Sequence, residues 1–259
     1  MYYTEYIIYI EIKQKKREKI MRQEDLYRMI DEKERGLDMS VAFPALMRKV
    51  YTWMTLALVI TGVTAYGVAN SSGLLQAIYS SKLTFFGLIA AELGIVIYTS
   101  ARIHKLALST ATLLFALFSV INGATLASVF IVYSQAAITK TFLVTAGTFA
   151  TMAFIGSTTK RDLTKMGGIL MMALIGLIIA GIANMFIKSS GFDLIVSGLG
   201  VLIFVGLTAW DAQNIKRQLA MSPDTGESAQ KIALLGSLSL YLDFINMFLY
   251  LLRFLGNRD

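Results

Sequence analysis

Apolar residues fall in seven long runs along this chain, and short polar connections separate the runs. Each run holds about the 17 to 25 residues that an α-helix needs to cross a ~30 Å hydrocarbon core, and the third, which is longer, must tilt or kink. The pattern predicts an all-α, polytopic membrane protein with seven transmembrane helices. The runs cover residues 50–69, 83–100, 106–132, 141–158, 167–187, 194–214 and 231–252.

The form of these runs excludes two other classes of protein. A soluble helical protein would show polar residues on one face of each helix, but the run 169–187 has almost none. The strands of a membrane β-barrel would alternate apolar and polar residues, whereas these runs are continuous. Composition agrees with a membrane protein, because 56% of the 259 residues are hydrophobic and 16% are charged. Residues 1–48 are predicted to form a helical or disordered tail, and residues 49–259 the transmembrane domain.

Lysine and arginine are concentrated in the tail and in alternate connections. Residues 1–49 carry eleven of them, whereas the connections after the first, third and fifth runs carry one each. The positive-inside rule therefore predicts a cytoplasmic N-terminus and an outside C-terminus, unless the final run enters the membrane only partway and returns. Short connections and the lack of cysteine fit a multi-pass protein of a bacterial plasma membrane. The basic connections hold Arg102 and Lys105, then Lys160, Arg161 and Lys165, then Lys216, Arg217 and Lys231.

Charge and chemistry exclude several further functions. The net charge of +7 does not indicate nucleic-acid binding, because the basic residues follow the topology and the tail mixes them with nine acidic ones. No thiolate or histidine-cluster metal site is expected, since the chain has no cysteine and one histidine, His104. No phosphate-binding glycine motif follows a strand. The chain is thus predicted to bind no cofactor tightly and no nucleic acid.

Two aspartates lie inside the last two apolar runs, Asp211 in the sixth and Asp243 in the seventh. A charged carboxylate in hydrocarbon costs about 2.5 to 3.5 kcal/mol on insertion scales, so such residues usually have a function. In the seventh run, Ser239, Asp243, Asn246 and Tyr250 follow one another at spacings of four, three and four. They form one polar stripe on a helix, which must face protein or water.

Counting along the helices places the two aspartates at different depths. Asp211 lies five residues before Lys216 and Asp243 lies twelve after Lys231. At ~1.5 Å per residue, Asp243 is deeper by on the order of 10 Å, so the pair meets only if the seventh helix starts late or kinks, for instance at Gly236. Small residues allow close helix crossings, which are expected at Gly176 and Gly181 and at the pair Gly198 and Gly200.

The sequence SLYLDFINMFLYLLRFLG, with TAWDAQNIK on the preceding segment and the seven-run layout, resembles the Bax inhibitor (transmembrane Bax inhibitor motif) family of membrane proteins. The resemblance runs from about residue 48 to the C-terminus. It implies a central seventh helix surrounded by six others. It also implies a proton-sensitive calcium leak controlled by two hydrogen-bonded aspartates, which correspond to Asp211 and Asp243. Family members commonly have Tyr-Asp-Thr-Gln where this chain has Trp210, Asp211, Ala212 and Gln213.

General chemistry supports such a switch. Two carboxyls in a low-dielectric site cannot both ionise cheaply, so they share a proton and titrate as a coupled unit. When the proton leaves, two like charges repel and attract a cation, and carboxylate oxygens suit weak occupancy by calcium. Asp211 and Asp243 are therefore the predicted pH sensor, gate and passing metal site, and calcium, protons and the lipid bilayer are the predicted partners.

Three other polar residues are candidates to line the ion path: Glu92 in the second run, and Ser239 and Asn246 in the seventh. Glu92 is equally suited to accept a hydrogen bond from a neighbouring helix. The resemblance suggests a basic latch for a charged Asp211 at the end of the second helix. Arg102 is the best candidate and Lys105 is nearly as good, and orientation signalling alone is the alternative role of these basic residues.

Other functions remain open at this level. The chain is compatible with a membrane regulator that transports nothing and acts on a protease or a cell-death factor. Its contact surface would be the connection from Gln218 to Gln230; however, the family branch associated with protease regulation lacks the second aspartate. Intramembrane aspartyl proteases also place two aspartates on adjacent helices, but the Gly-x-Gly-Asp signature is absent here. A purely structural hydrogen bond between the helices is another alternative. We expect no enzyme.

Overall fold

The computed structural model describes residues 43–222 and 226–256. The predicted tail, residues 1–48, therefore lies outside the described residues except for its last six positions. The chain divides into two units, Met1–Ala45 and Leu46–Asp259, and the second holds the helical bundle.

Seven of the helices in the described residues are long and apolar enough to cross a membrane, which confirms the predicted all-α, seven-span class. α4 and the short α5 together form the third span, and α2 is a short helix between the first two spans. The helices are α1 (Phe43–Ala69), α2 (Ser72–Tyr79), α3 (Lys82–Arg102), α4 (Leu108–Leu126), α5 (Val129–Val132), α6 (Gln135–Thr158), α7 (Thr164–Ile187), α8 (Ser190–Ala220) and α9 (Glu227–Leu255).

The surfaces of α3 and α7 are those of lipid-facing helices. In each, only 6% of the most apolar 18-residue window is buried in the protein. Large apolar side chains such as Leu93, Ile97, Ile179 and Phe186 are more than half exposed. Continuous exposed apolar surface of this extent is stable only in a membrane.

The third span is broken at Ala127 and Ser128, where the sequence predicted a tilt or kink. The break frees backbone groups that hydrocarbon could not satisfy, and the Tyr79 hydroxyl from α2 takes them over. Its one hydrogen is shared between the carbonyl oxygens of Ala124 and Thr125, at 3.1 and 2.8 Å, and its oxygen accepts from the Ser128 N–H at 2.9 Å. The short helix α2 thus stabilises an irregular backbone segment within the bundle.

α9 is the most buried span. In its most apolar 18-residue segment, 61% of the residues are buried, and the corresponding fraction is at most 39% in the other spans described. Its side chains reach hydrogen-bond partners on α1, α4 and α8. This burial fits the central position that the family resemblance implies, which stays a prediction.

Close helix crossings occur at Gly200, as predicted, and also at Gly156, which was not predicted. A Cβ at Gly156 of α6 would lie 2.0 Å from the Ala209 carbonyl oxygen of α8, and one at Gly200 would lie 2.6 Å from the Tyr250 ring. At Gly176 and Gly181, no described atom beyond the adjoining backbone of the same helix lies within 4 Å of such a Cβ, so the crossing predicted there is wrong. At Gly198 the contact is ordinary.

α8 and α9 run antiparallel, and both extend beyond the apolar runs, so that the predicted connection from Gln218 to Gln230 shrinks to residues 221–226. The hydrogen bond from Ser239 to Asp211 sets these two residues at the same level along the antiparallel helices. Lys216 is five residues from that level and Lys231 is eight, so Lys216 lies about one turn further into the membrane than Lys231. The depth difference counted from these two lysines was therefore too large. α9 is continuous from Glu227, so the late start expected for this helix is wrong, and the helix runs through Gly236 without a break. Gly236 instead packs against Ile215.

Candidate functional site: a carboxyl pair between α8 and α9

The side chains of Asp211 and Asp243 lie in hydrogen-bonding contact between α8 and α9. Both are buried, with 8% and 5% of their surface exposed. The remaining offset of one turn along the helix axis, about 6 Å, is bridged by the two side chains. No lysine or arginine in the described residues forms an ion pair with either carboxyl.

The two carboxyls have different surroundings. The Ser239 hydroxyl on α9 donates to Oδ2 of Asp211 at 2.5 Å. Oδ2 of Asp243 is buried and has no hydrogen-bond partner among the residues that the structure describes. A negative charge is therefore better supported on Asp211 than on Asp243.

Asp211 lies on the walls of two cavities. The first, of about 230 Å³, lies between α3, α8 and α9. The second, of about 480 Å³, lies between α7, α8 and α9 and also exposes Asp243, Asn246 and Tyr250. Four residues line both cavities: Asp211, Asn214, Ser239 and Leu242.

The polar stripe predicted on the last helix faces the second cavity. Ser239, Asp243, Asn246 and Tyr250 all line it. Asn246 donates through Nδ2 to the Leu242 carbonyl oxygen at 2.8 Å, which fixes the orientation of its amide within the stripe. These candidates thus share one cavity, and Glu92 does not line it.

Glu92 lies in a separate polar network on another side of α9. Its two carboxyl oxygens accept from Thr125 Oγ1 at 2.7 Å and from Asn122 Nδ2 at 3.1 Å, both on α4. Asn122 Oδ1 accepts from the Tyr241 hydroxyl at 2.9 Å, and that hydroxyl is 2.7 Å from Thr61 Oγ1 of α1. Of the two roles expected for Glu92, the structure shows the hydrogen bond to a neighbouring helix, and its role in lining an ion path stays a prediction.

Arg102 is exposed at the end of α3. Its side chain forms no ion pair or hydrogen bond with any residue that the structure describes. Ser100, two residues earlier, lines the first cavity together with Asp211. The latch between Arg102 and Asp211 is not formed in this conformation and stays a prediction.

Gln213, two residues after Asp211, fixes the connection between α6 and α7. Its side chain accepts from the Leu163 N–H at 2.9 Å and donates to the Arg161 carbonyl oxygen at 2.7 Å. Lys216 donates to the Ser157 carbonyl oxygen at 2.8 Å. The glutamine of the TAWDAQNIK sequence thus ties three spans together beside the carboxyl pair.

Asp162 in the same connection forms an ion pair with Arg217 at 2.8 Å. Hydrogen bonds from Thr164, together with the Arg217 guanidinium, hold the pKa of Asp162 well below its usual range. We call the end of the bundle that carries this connection and the α8–α9 connection the basic end.

The sequence analysis missed the members of the Glu92 network on other helices. Tyr241, Asn122 and Thr61 are polar residues in apolar runs, the same signal that identified the aspartates. Tyr241 is fully buried. Its position two residues before Asp243 places it on a different face of α9, so the stripe pattern did not include it.

The chain matches known proteins over this whole region. The family model described as "Inhibitor of apoptosis-promoting Bax1" matches residues 44–259. The chain is 46% identical to the inner membrane protein YbhL of Escherichia coli (strain K12) over 82% of this chain and 91% of that protein. Similar coverage, 82% and 91%, and the same identity of 46% are found for an uncharacterized protein of Borreliella burgdorferi. The uncharacterized protein RP147 of Rickettsia prowazekii is 40% identical over 82% of this chain and 89% of its own length.

None of these names describes a catalytic activity. The matched residues 44–259 cover the seven spans and contain positions 211 and 243, and one relative is an inner membrane protein. The chain is an integral, multi-pass membrane protein and belongs to the Bax inhibitor family.

Proposed function

We propose that this chain is a calcium leak channel, closed while Asp211 and Asp243 share a proton and opened when that proton leaves. The observation that carries the proposal is the contact between two buried carboxyls on neighbouring spans. Two ionised carboxylates in direct contact in a low-dielectric site repel each other strongly. The contact is therefore stable only while one of them is protonated.

The surroundings of the pair favour Asp243 as the protonated partner. Asp211 receives a hydrogen bond from Ser239, which stabilises its charge. Oδ2 of Asp243 has no donor, and the O–H of a protonated Asp243 supplies the hydrogen bond between the two side chains. Loss of this proton converts the link between α8 and α9 into a repulsion.

The position of the pair suits a gate. Because Asp211 and Ser239 line both cavities, a cation that moves from the first cavity to the second passes the two carboxyls. Separation of α8 from α9 at this point would join the cavities. Arg102 is proposed as a latch that pairs with Asp211 once it is ionised, because Arg102 follows directly after the wall of the first cavity.

Calcium is proposed as the transported ion because its preferred ligands are hard oxygen atoms. The pair offers two carboxylates, and Ser239 and Asn246 add a hydroxyl and an amide oxygen in the adjoining cavity. Calcium takes about six to eight oxygen ligands, and in the described residues no group of three acidic, histidine or cysteine side chains is close enough to hold a metal. Because the site offers so few ligands, we expect a calcium ion to bind weakly there and to pass on.

Calcium influx into dye-loaded liposomes between about pH 6 and 8 tests the proposal. In the wild type we expect influx that increases with pH, because the shared proton is lost. Asp211→Asn and Asp243→Asn should each give influx that no longer depends on pH, because a carboxamide cannot ionise.

The matched control is Asp162→Asn, which removes an acidic group at the basic end but outside the pair. It should keep the pH dependence of the wild type. A pH dependence that survives Asp243→Asn would contradict the gate. No influx from folded, monodisperse wild-type protein would instead favour the non-transporting regulator.

A further inference from the structure

The second cavity ends at Tyr250, away from the basic end. The Tyr250 ring stacks on Phe204 of α8, with 5.9 Å between ring centroids and 25° between the planes. It also lies against Gly200, where a Cβ would be 2.6 Å from the ring. A larger residue at position 200 would occupy the space of the ring, so this slot between α8 and α9 depends on glycine.

One arginine holds this ring from the outer side. The guanidinium of Arg253, in the last turn of α9, lies 5.6 Å from the centroid of the Tyr250 ring. Its Nη1 lies 3.5 Å from Oδ1 of Asp193, in the first turn of α8. The same oxygen accepts from Asn184 Nδ2 of α7 at 3.3 Å. Arg253 therefore connects the ring that ends the cavity to the ends of α7 and α8.

We propose that Tyr250 is a second gate of the cation path, at the end opposite the carboxyl pair, and that Arg253, held by Asp193, keeps it closed. This inference rests on the proposed leak function for the nature of the path. The closed state has two barriers to a cation that leaves the second cavity. The first is the ring itself, and the second is the positive charge of Arg253 directly behind it.

The contacts of Arg253 are weak enough for a gate. The ion pair has one long N–O contact, and the Arg253 and Asp193 side chains are 39% and 26% exposed. Pairs of this kind contribute little to stability, and a cation–π contact at an exposed site adds a comparably small amount. Arg253 can therefore leave Asp193 without unfolding the helix ends, and the ring is then free to rotate out of its slot.

The lack of cysteine in the chain allows a direct test with a single introduced thiol. Asn246→Cys places the thiol in the second cavity, four residues before Tyr250. The labelling rate is measured with small membrane-impermeant thiol reagents, one neutral and one cationic. They are added from the side of the membrane on which Arg253 lies, using vesicles of both orientations.

We expect Arg253→Gln and Asp193→Asn to increase the labelling rate about two- to fivefold, because loss of an exposed cation–π contact or ion pair shifts a closed–open equilibrium by about that factor. Asp193→Asn keeps the arginine and its charge. An increase in both variants, with both reagents, therefore reports opening and not a change in local charge.

The matched control is Lys188→Gln, which removes a positive charge at the same end without touching Tyr250. It should leave the rate for the neutral reagent unchanged. Equal rates in wild type, Arg253→Gln and Asp193→Asn would overturn the second gate. If either variant fails to fold, Arg253→Lys, which keeps the charge but replaces the planar guanidinium by an ammonium group, must give an intermediate rate.

The labelling assay does not depend on ion flux. If the wild type conducts no calcium but the labelling rate changes as expected in the variants, the proposed leak function is contradicted and the movement of the Tyr250 ring is still supported. If the wild type conducts calcium with the expected pH dependence but labelling does not respond, the second gate fails and the leak function remains. The two proposals are therefore distinguishable in one set of samples.

Discussion

At the scale of residues, one hydroxyl distinguishes the two aspartates. Ser239 donates to Asp211, and no comparable donor reaches Oδ2 of Asp243. Sequence spacing placed Ser239 and Asp243 on one face of the last helix, but it did not show which aspartate the serine contacts. That contact depends on the register between α8 and α9. The register inferred from Lys216 and Lys231 was wrong, because these two lysines do not lie at the same depth.

Ser239→Ala should move the pH dependence of calcium influx to higher pH by on the order of one unit, because the ionised Asp211 loses a charge-assisted hydrogen bond. Influx into liposomes over a range of pH measures the midpoint. The matched control is Ser237→Ala on the same helix, where the hydroxyl donates only to the Ala233 carbonyl oxygen at 2.7 Å. An unchanged midpoint in Ser239→Ala would show that this hydrogen bond does not tune the gate.

Asp162 gives a pH effect of a different kind. Thr164 and Arg217 hold its pKa below the usual range, so its contribution to folding is present above the ordinary aspartate value of about 3.9 and is lost as the pH falls through the lower folded-state value. Asp162→Asn should therefore lower the melting temperature at pH 7. We expect the difference from wild type to shrink below about pH 4, and a difference independent of pH would contradict this account.

At the scale of elements, the apolar runs predicted where spans lie but not which helices touch. Length and hydropathy are properties of one segment, whereas a close crossing also needs a second helix that passes the glycine at the same depth in the membrane. Crossings were therefore predicted at Gly176 and Gly181, whereas Gly156, which the sequence pattern did not single out, is the one of these three that meets another helix. The break in the third span was predicted from its length, but Tyr79, which stabilises it, could not be identified from that run alone.

Gly156→Ala should destabilise the bundle by about 1 to 3 kcal/mol, because the new methyl group would meet the backbone of Ala209, which no side-chain rotation can relieve. Gly176→Ala is the matched control, since open space surrounds that position and the same methyl group is added. Thermal unfolding in detergent compares the two variants. Equal melting temperatures would show that α6 moves away from α8 at little cost.

At the scale of the whole molecule, α9 connects two polar clusters that lie on different faces. Asp243 faces α8 and the second cavity, while Tyr241 bonds to residues of α4 and α1. Run length and hydropathy predicted seven spans, and the cost of polar groups in hydrocarbon singled out the two aspartates. Their contact was implied by the family resemblance, because counting along the helices had placed them about 10 Å apart in depth. The second cluster was missed because Glu92 was considered alone, and its partners lie 30 or more positions away.

The burial of α9 has a consequence for how the protein is made. The chain is synthesised from its N-terminus, so the most buried of the seven described spans is also the last of these seven to leave the ribosome. Until it arrives, Thr61, Asn122 and Asp211 lack their α9 partners, although Glu92 can already bond to α4. Six inserted spans therefore form an incomplete assembly with unsatisfied polar groups inside the bilayer. Insertion of the final segment completes the fold and assembles the gate in one step.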